Sequence, residues 1–141
     1  MKLQFTVNGL PPKKDGAQSM WGKSLEASCL AELRLVAREA LQGSRPFQSN
    51  IKLTLKIHIG RVNDRTIGDL NTFVTGVCDG LMAAHPSGKL DPIWNDPKLK
   101  EVHPSRTSAI IDDSQIVQIH AEKIIGDTFD PWYEITLEGE Q

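Results

Sequence analysis

From Ile51 to Ile59 the chain reads IKLTLKIHI, with an aliphatic residue at every odd position and Lys52, Thr54, Lys56 and His58 between them. A period of two places the two sets on opposite sides of an extended backbone, whereas a helix would scatter both around its circumference. The segment is therefore a strand with one buried face and one polar face.

The flanking segments carry other periods. KLQFTV alternates Leu3, Phe5 and Val7 with polar residues, and predicts a first, short strand. NGLPPKKDGAQSMWGK is rich in proline, glycine and lysine and reads as an exposed loop, in which Lys13 and Lys14 sit within reach of a phosphate. From Ser24, a suitable N-cap, Leu25, Cys29, Leu33, Val36, Ala40 and Leu41 recur at helical spacing until Gly43 and Pro46 end the pattern. Leu70, Phe73, Val74, Val77, Cys78 and Leu81 mark a second helix with Asp69 at or beside its N-cap. Val117, Ile119 and Ala121 predict a third strand, and WYEITLEG a fourth. The expected fold is a single α+β domain over residues 1–141, of order β-α-β-α-β-β, with helices packed on a mixed sheet. Residues 84–109 lack periodicity and are expected to form a long loop or insertion, which in a small domain is often functional.

Charge adds a weak constraint. The net charge is only -2, but residues 1–66 hold 11 basic and 5 acidic side chains, whereas residues 67–141 hold 5 and 13. The asymmetry permits a basic surface beside an acidic pocket. No apolar run is long enough to span a bilayer and the N-terminal residues alternate, so no membrane segment and a cytoplasmic location are expected. Cys29 and Cys78 fall on apolar helix faces and are expected as buried free thiols.

Chemistry concentrates in two places. GDLNTFVTGVCDGL opens a helix with Asp69 and Asn71, and IIDDSQIVQIH introduces a strand with the adjacent acids Asp112 and Asp113. An aspartate at a helix start is commonly a cap, and paired aspartates are commonly turn residues. The sharper expectation is that these oxygens converge at one edge of the sheet. Adjacent carboxylates repel unless a cation or proton relieves them, and Mg²⁺ favours one or two carboxylates completed by water and substrate phosphate. The four histidines share no ligand spacing, which argues against zinc.

With those residues in place, GDLNTFVTGVCDGL followed by IDDSQIVQIHAEKI resembles the RusA family of Holliday junction resolvases. That family's pattern is approximately D-L-D-N, an apolar helix with a later D-x-L, then D-D-x-Q-V-V leading a strand. The resemblance spans most of the chain, its specific parts being the Asp69 to Asp79 spacing and the DDSQIV string. It implies a Mg²⁺-dependent endonuclease that binds and resolves four-way or branched DNA in recombination and repair as a homodimer. Asp69, Asn71 and Asp113 take the catalytic positions, and Asp69, Asp112 and Asp113 the metal-binding ones. Lys13, Lys14, Lys52, Lys56, Arg61 and Arg65 are the expected DNA contacts.

The chain departs from the pattern where Asn71 replaces the second aspartate, Thr72 the following asparagine and Thr75 a helix lysine. An asparagine carbonyl ligates Mg²⁺ without contributing charge. A unit-charge pair at about 4 Å is worth about 4 kcal/mol at an effective dielectric of 20, so the substitution bears directly on metal affinity. Two other readings follow: a RusA-like protein that binds junctions but cuts them weakly or not at all, and an unrelated interaction domain whose acids are caps and turns.

Overall fold

In the computed structural model, which describes residues 1–14, 19–61, 68–84, 88–127 and 130–140, the alternating segment is the spine of the molecule. Ile51, Leu53, Leu55, Ile57 and Ile59 of β2 (Ile51–Gly60) are all essentially inaccessible. Each such side chain contributes roughly 1.5–3 kcal/mol through burial. Around β2 the sheet has the order β1-β4-β2-β3, with β1 spanning Lys2–Asn8, β3 Ile116–Gly126 and β4 Trp132–Gly139. β2 runs parallel to β3 and antiparallel to β4, and β4 is antiparallel to β1, so the sheet is mixed as expected. A parallel neighbour needs a crossover connection, and the second helix, α2 (Leu70–Gly80), supplies its regular part.

Helices cover only the aliphatic face. Leu33 and Ala37 of α1 (Ser24–Leu41) and Phe73 and Val77 of α2 close over Phe5, Val7, Tyr133, Ile135, Leu137 and the odd positions of β2. The buried stripe of α1 differs from the one its spacing predicts. Leu25 is 74% exposed, while Ala27, Leu30, Ala31, Leu33, Arg34, Ala37 and Leu41 are buried. The reason is that α1 is covered on two sides, by the sheet and by residues 90–102. Ser24 is the first helical residue, Lys23 holds the cap position, and no side chain caps that end.

Residues 84–109, expected as a loop, hold two 3₁₀ turns, Pro92–Asn95 and Pro97–Val102. Each begins with proline after an aspartate, Asp91 or Asp96, whose side chain accepts from the backbone N–H two residues on. Trp94, Leu99 and Val102 form a second apolar cluster with Met20, Trp21, Ala27, Leu30 and Ala31. This segment thus has a core of its own against α1, where short turns leave no helical or strand period for a sequence to display.

Arg34 joins the two clusters. It is fully buried, and its five N–H groups donate to five carbonyls: Nε to Val102, Nη1 to Gly80 and Met82, and Nη2 to His103 and Arg106. Burial pushes its pKa down to about 10, which leaves it charged at neutral pH. Its guanidinium carbon lies 5.3 Å from the centre of the Trp21 ring. The Gly80 and Met82 carbonyls belong to the end of α2 and the turn after it, where unpaired carbonyls and the helix dipole favour a cation.

Candidate metal site at the ends of the second helix

The loop before α1 determines what the outer face of α2 presents. Pro12 crosses the helix so closely that a Cβ on Gly76 would overlap the Pro12 carbonyl oxygen. The Lys14 N–H then donates to the Thr72 carbonyl, 3.2 Å away. This contact sends the two lysines to opposite ends of the helix. Lys13 lies along Gly68, next to Asp69, while Lys14 Nζ reaches Asp79 Oδ2 at 2.7 Å. Glu26, buried on α1, fixes the loop from the other side by accepting from the Lys13 N–H at 3.1 Å.

Asp69 occupies the N-cap of α2, but its side chain makes no capping bond and is exposed. Asn71 is exposed in the first turn. Thr72 and Thr75 fold back on the helix, Thr72 Oγ1 donating to the Asp69 carbonyl and Thr75 Oγ1 to the Asn71 carbonyl. At 1.5 Å per residue, the helix separates the Cα atoms of Asp69 and Asp79 by about 15 Å.

The DDSQ string is pinned near the other end of α2. The Ile110 N–H donates to the Leu81 carbonyl, and Gln115 ties the turn to the start of β2. Gln115 Oε1 accepts from the N–H groups of Ile111 and Asp112, while Nε2 donates to the carbonyls of Phe47 and Ser49. Asp112 caps the turn, with Oδ2 accepting from Ser114 Oγ at 3.0 Å and Oδ1 from the Ser114 N–H. The structure therefore divides the two acids. Asp112 serves the turn, and its hydrogen bonds to Ser114 hold its carboxyl below the usual range. Asp113 is pushed above that range, by its contact with Asp112, by burial, and by the negative charges of Asp112 and Asp79, with Lys14 opposing. Cys78, one residue before Asp79, is a free thiol raised to about 11 by burial and by the same two acids, Asp79 and Asp113. Cys29, half-buried and also free, is raised to about 11 by burial and by Glu26.

The acids whose charges act on one another are thus Asp79, Asp112 and Asp113, with Lys14 paired to Asp79, while Asp69 and Asn71 lie at the far end of the helix from Asp79. Asp79 had only its motif spacing to mark it. Among the described residues, no three acidic, histidine or cysteine side chains stand in an arrangement that would hold a metal ion by themselves.

The expected DNA contacts are dispersed. Lys52 and Lys56 lie on the uncovered sheet face, where Lys52 is opposite Glu138 and Lys56 lies between Glu134 and Glu122 in register. Across the four strands that face carries Lys2, Lys52 and Lys56 against Glu122, Glu134 and Glu138, so it is balanced rather than basic. His58 is also engaged there, stacked 3.7 Å from the Trp132 ring with Nε2 at 2.8 Å from Glu134 Oε2. Arg61 is exposed just past the end of β2, and Arg65 lies outside the described residues. A cleft of about 840 Å³ between α1 and residues 101–108 contains Arg38 and Arg106, both directed at Glu101, and none of the acids above.

No protein-family model and no curated protein matches the chain. No helix among the described residues is long and apolar enough to cross a membrane.

Proposed function

We propose that this protein is a Mg²⁺-dependent endonuclease of branched DNA, a divergent RusA-like resolvase acting in the cytoplasm as a homodimer, with its metal held by Asp113 and Asp79. The observation that carries the reading is the negative charge that Asp112 and Asp79 impose on Asp113, with Lys14 as the opposing cation. It leaves an excess of negative charge, felt in the raised Asp113 carboxyl, that a divalent ion would relieve. Two carboxylates suit Mg²⁺, which keeps several waters and takes substrate phosphate oxygens as further ligands. When bound, the ion would lower the pKa of a coordinated water and neutralise charge developing on the phosphate. The protein's own part is positional. Gln115 and the Asp112 cap hold the turn that carries Asp113, α2 holds Asp79, and Lys14 pairs with Asp79.

The second reading, junction binding with weak or absent cleavage, is favoured by the helix length between Asp69 and Asp79 and by the neutral Asn71. Incubation of the protein with a four-way DNA junction and with linear duplex, over a range of Mg²⁺, tests both. The nuclease reading expects paired nicks in the junction that vanish in Asp113→Asn. Junction-selective binding without nicks selects the second reading, and no salt-dependent affinity for either DNA removes both.

A further inference from the structure

The two edges of the sheet are treated differently. On β1 the residues facing the helices, Phe5 and Val7, are buried. On β3, at the other edge, the helices stop short: Val117 is 52% exposed, Ile119 48% and Ile125 44%. Among the described residues nothing pairs with the outer side of β3, which is 11 residues long and the longest strand of the sheet. A long edge with exposed aliphatic side chains is a template for another strand.

We infer that this edge is the contact surface for a second copy of the chain, joined β3 to β3 in antiparallel register about a twofold axis at Ala121. The argument is self-complementarity. In an isologous antiparallel pair centred on Ala121, His120 lies opposite the partner's Glu122, Ile119 opposite the partner's Lys123 and Gln118 opposite the partner's Ile124, each occurring twice, and the bulged Val117 falls at the end of the ladder beside the partner's Ile125. His120 and Glu122 are already compatible neighbours in one chain, with Nε2 and Oε1 3.5 Å apart. Lys123 would lay its aliphatic stem over Ile119. The neighbouring symmetric registers are worse, since centring on Glu122 sets that carboxylate against its own copy and centring on His120 sets imidazole against imidazole. The irregularity at Val117, where β3 holds an extra residue relative to β2, falls at the end of this ladder and leaves positions 118–124 regular. Two four-stranded sheets would become one continuous sheet, with the helices of both copies on the same side.

The interface deepens the dimer part of the functional reading and rests on that reading only for the expectation that two copies act together. Its test is chosen to fail separately. Directly opposite residues of an antiparallel pair have Cα atoms about 4.5–5.5 Å apart, within disulfide range, whereas two copies of residue 118 in this register stand about 20 Å apart. Under mild oxidation, Ala121→Cys is expected to yield a covalent dimer and Gln118→Cys to remain uncross-linked. Sedimentation is expected to give a dimer at micromolar concentration for the wild type and a monomer with an unchanged circular dichroism spectrum for the double variant Val117→Lys, Ile125→Lys. A monomeric wild type, equal cross-linking of the two cysteine variants, or a dimer that survives the double lysine substitution would each overturn the inference. None of those results bears on Mg²⁺ binding at Asp113.

Discussion

Lys14 grips α2 at two points: its N–H donates to the Thr72 carbonyl at 3.2 Å, and its ammonium stands 2.7 Å from Asp79 Oδ2. The ion pair is only partly shielded, with side-chain exposures of 55% and 16%. Such a pair contributes about 0.2–1 kcal/mol. Its larger effect is on the charge balance around Asp113. Lys14→Met should therefore cost less than about 1 kcal/mol in urea unfolding. It should also strengthen Mg²⁺ binding, because the cation competing for Asp79 is gone. A metal affinity that falls instead would mean that Lys14 organises the acids rather than competing for them.

Gly76 is present because Pro12 lies against it. Glycine to alanine on an exposed helix stabilises by about 1 kcal/mol. Here the added methyl would overlap the Pro12 carbonyl oxygen and force the loop away. Gly76→Ala should destabilise by about 1–3 kcal/mol, the usual range for overpacking, and should release Lys14 from Asp79. Thermal melting measures the first effect, and the shift of the Asp79 carboxyl resonance measures the second.

Arg34→Met should be among the most damaging single changes in the chain. It removes a cation whose five donors satisfy the carbonyls of Val102, Gly80, Met82, His103 and Arg106, and leaves those acceptors without their partner. Breaking such a buried charged network costs about 3–5 kcal/mol. Limited proteolysis should locate the loss, with new cleavage within residues 90–106 before the rest of the chain is attacked. Arg34→Lys should recover little, because an ammonium cannot reproduce a planar fork of five donors.

These contacts show which parts of the molecule the sequence exposes to reading and which it conceals. The strict alternation of Ile51 to Ile59 and the helical spacing of Phe73, Val77 and Leu81 specify β2 and α2, because each element buries one regular face. The stripe of α1 is harder to read because two layers cover that helix. Arg34 follows Leu30 by one helical turn and precedes Ala37 by another, and this place on the buried stripe is the only sign of its role. Residues 84–109 are organised by proline, aspartate caps and contacts distant in sequence, none of which has a period. At the candidate site, the DDSQ string marks a turn but not the division of labour between its two acids. Asp112 caps and Asp113 does not, a distinction that depends on Ser114 and Gln115 and on the approach of α2.

The pH dependence of stability should carry the signature of Asp113. Its folded carboxyl titrates above the ordinary range, so the folded state holds the proton more tightly than the unfolded chain. The associated stability is present below the ordinary carboxylate range and is lost as pH rises through the raised folded value. Asp113→Asn keeps a donor toward Asp112 and removes the charge, so in the absence of metal it should melt higher than wild type at neutral pH. The two curves should converge on acidification. Parallel curves at all pH values would show that the acids around Asp113 do not act on it.

The most direct test of the account is a Mg²⁺ titration followed by thermal melting of the wild type, Asp113→Asn, Asp79→Asn and Asp69→Asn. A site on Asp113 and Asp79 predicts that Mg²⁺ raises the wild-type melting temperature in a saturable manner, that either of the first two substitutions abolishes the response, and that Asp69→Asn, a helix length from Asp79, retains it. A wild type indifferent to Mg²⁺, or a response lost with Asp69 and kept without Asp113, would contradict the account.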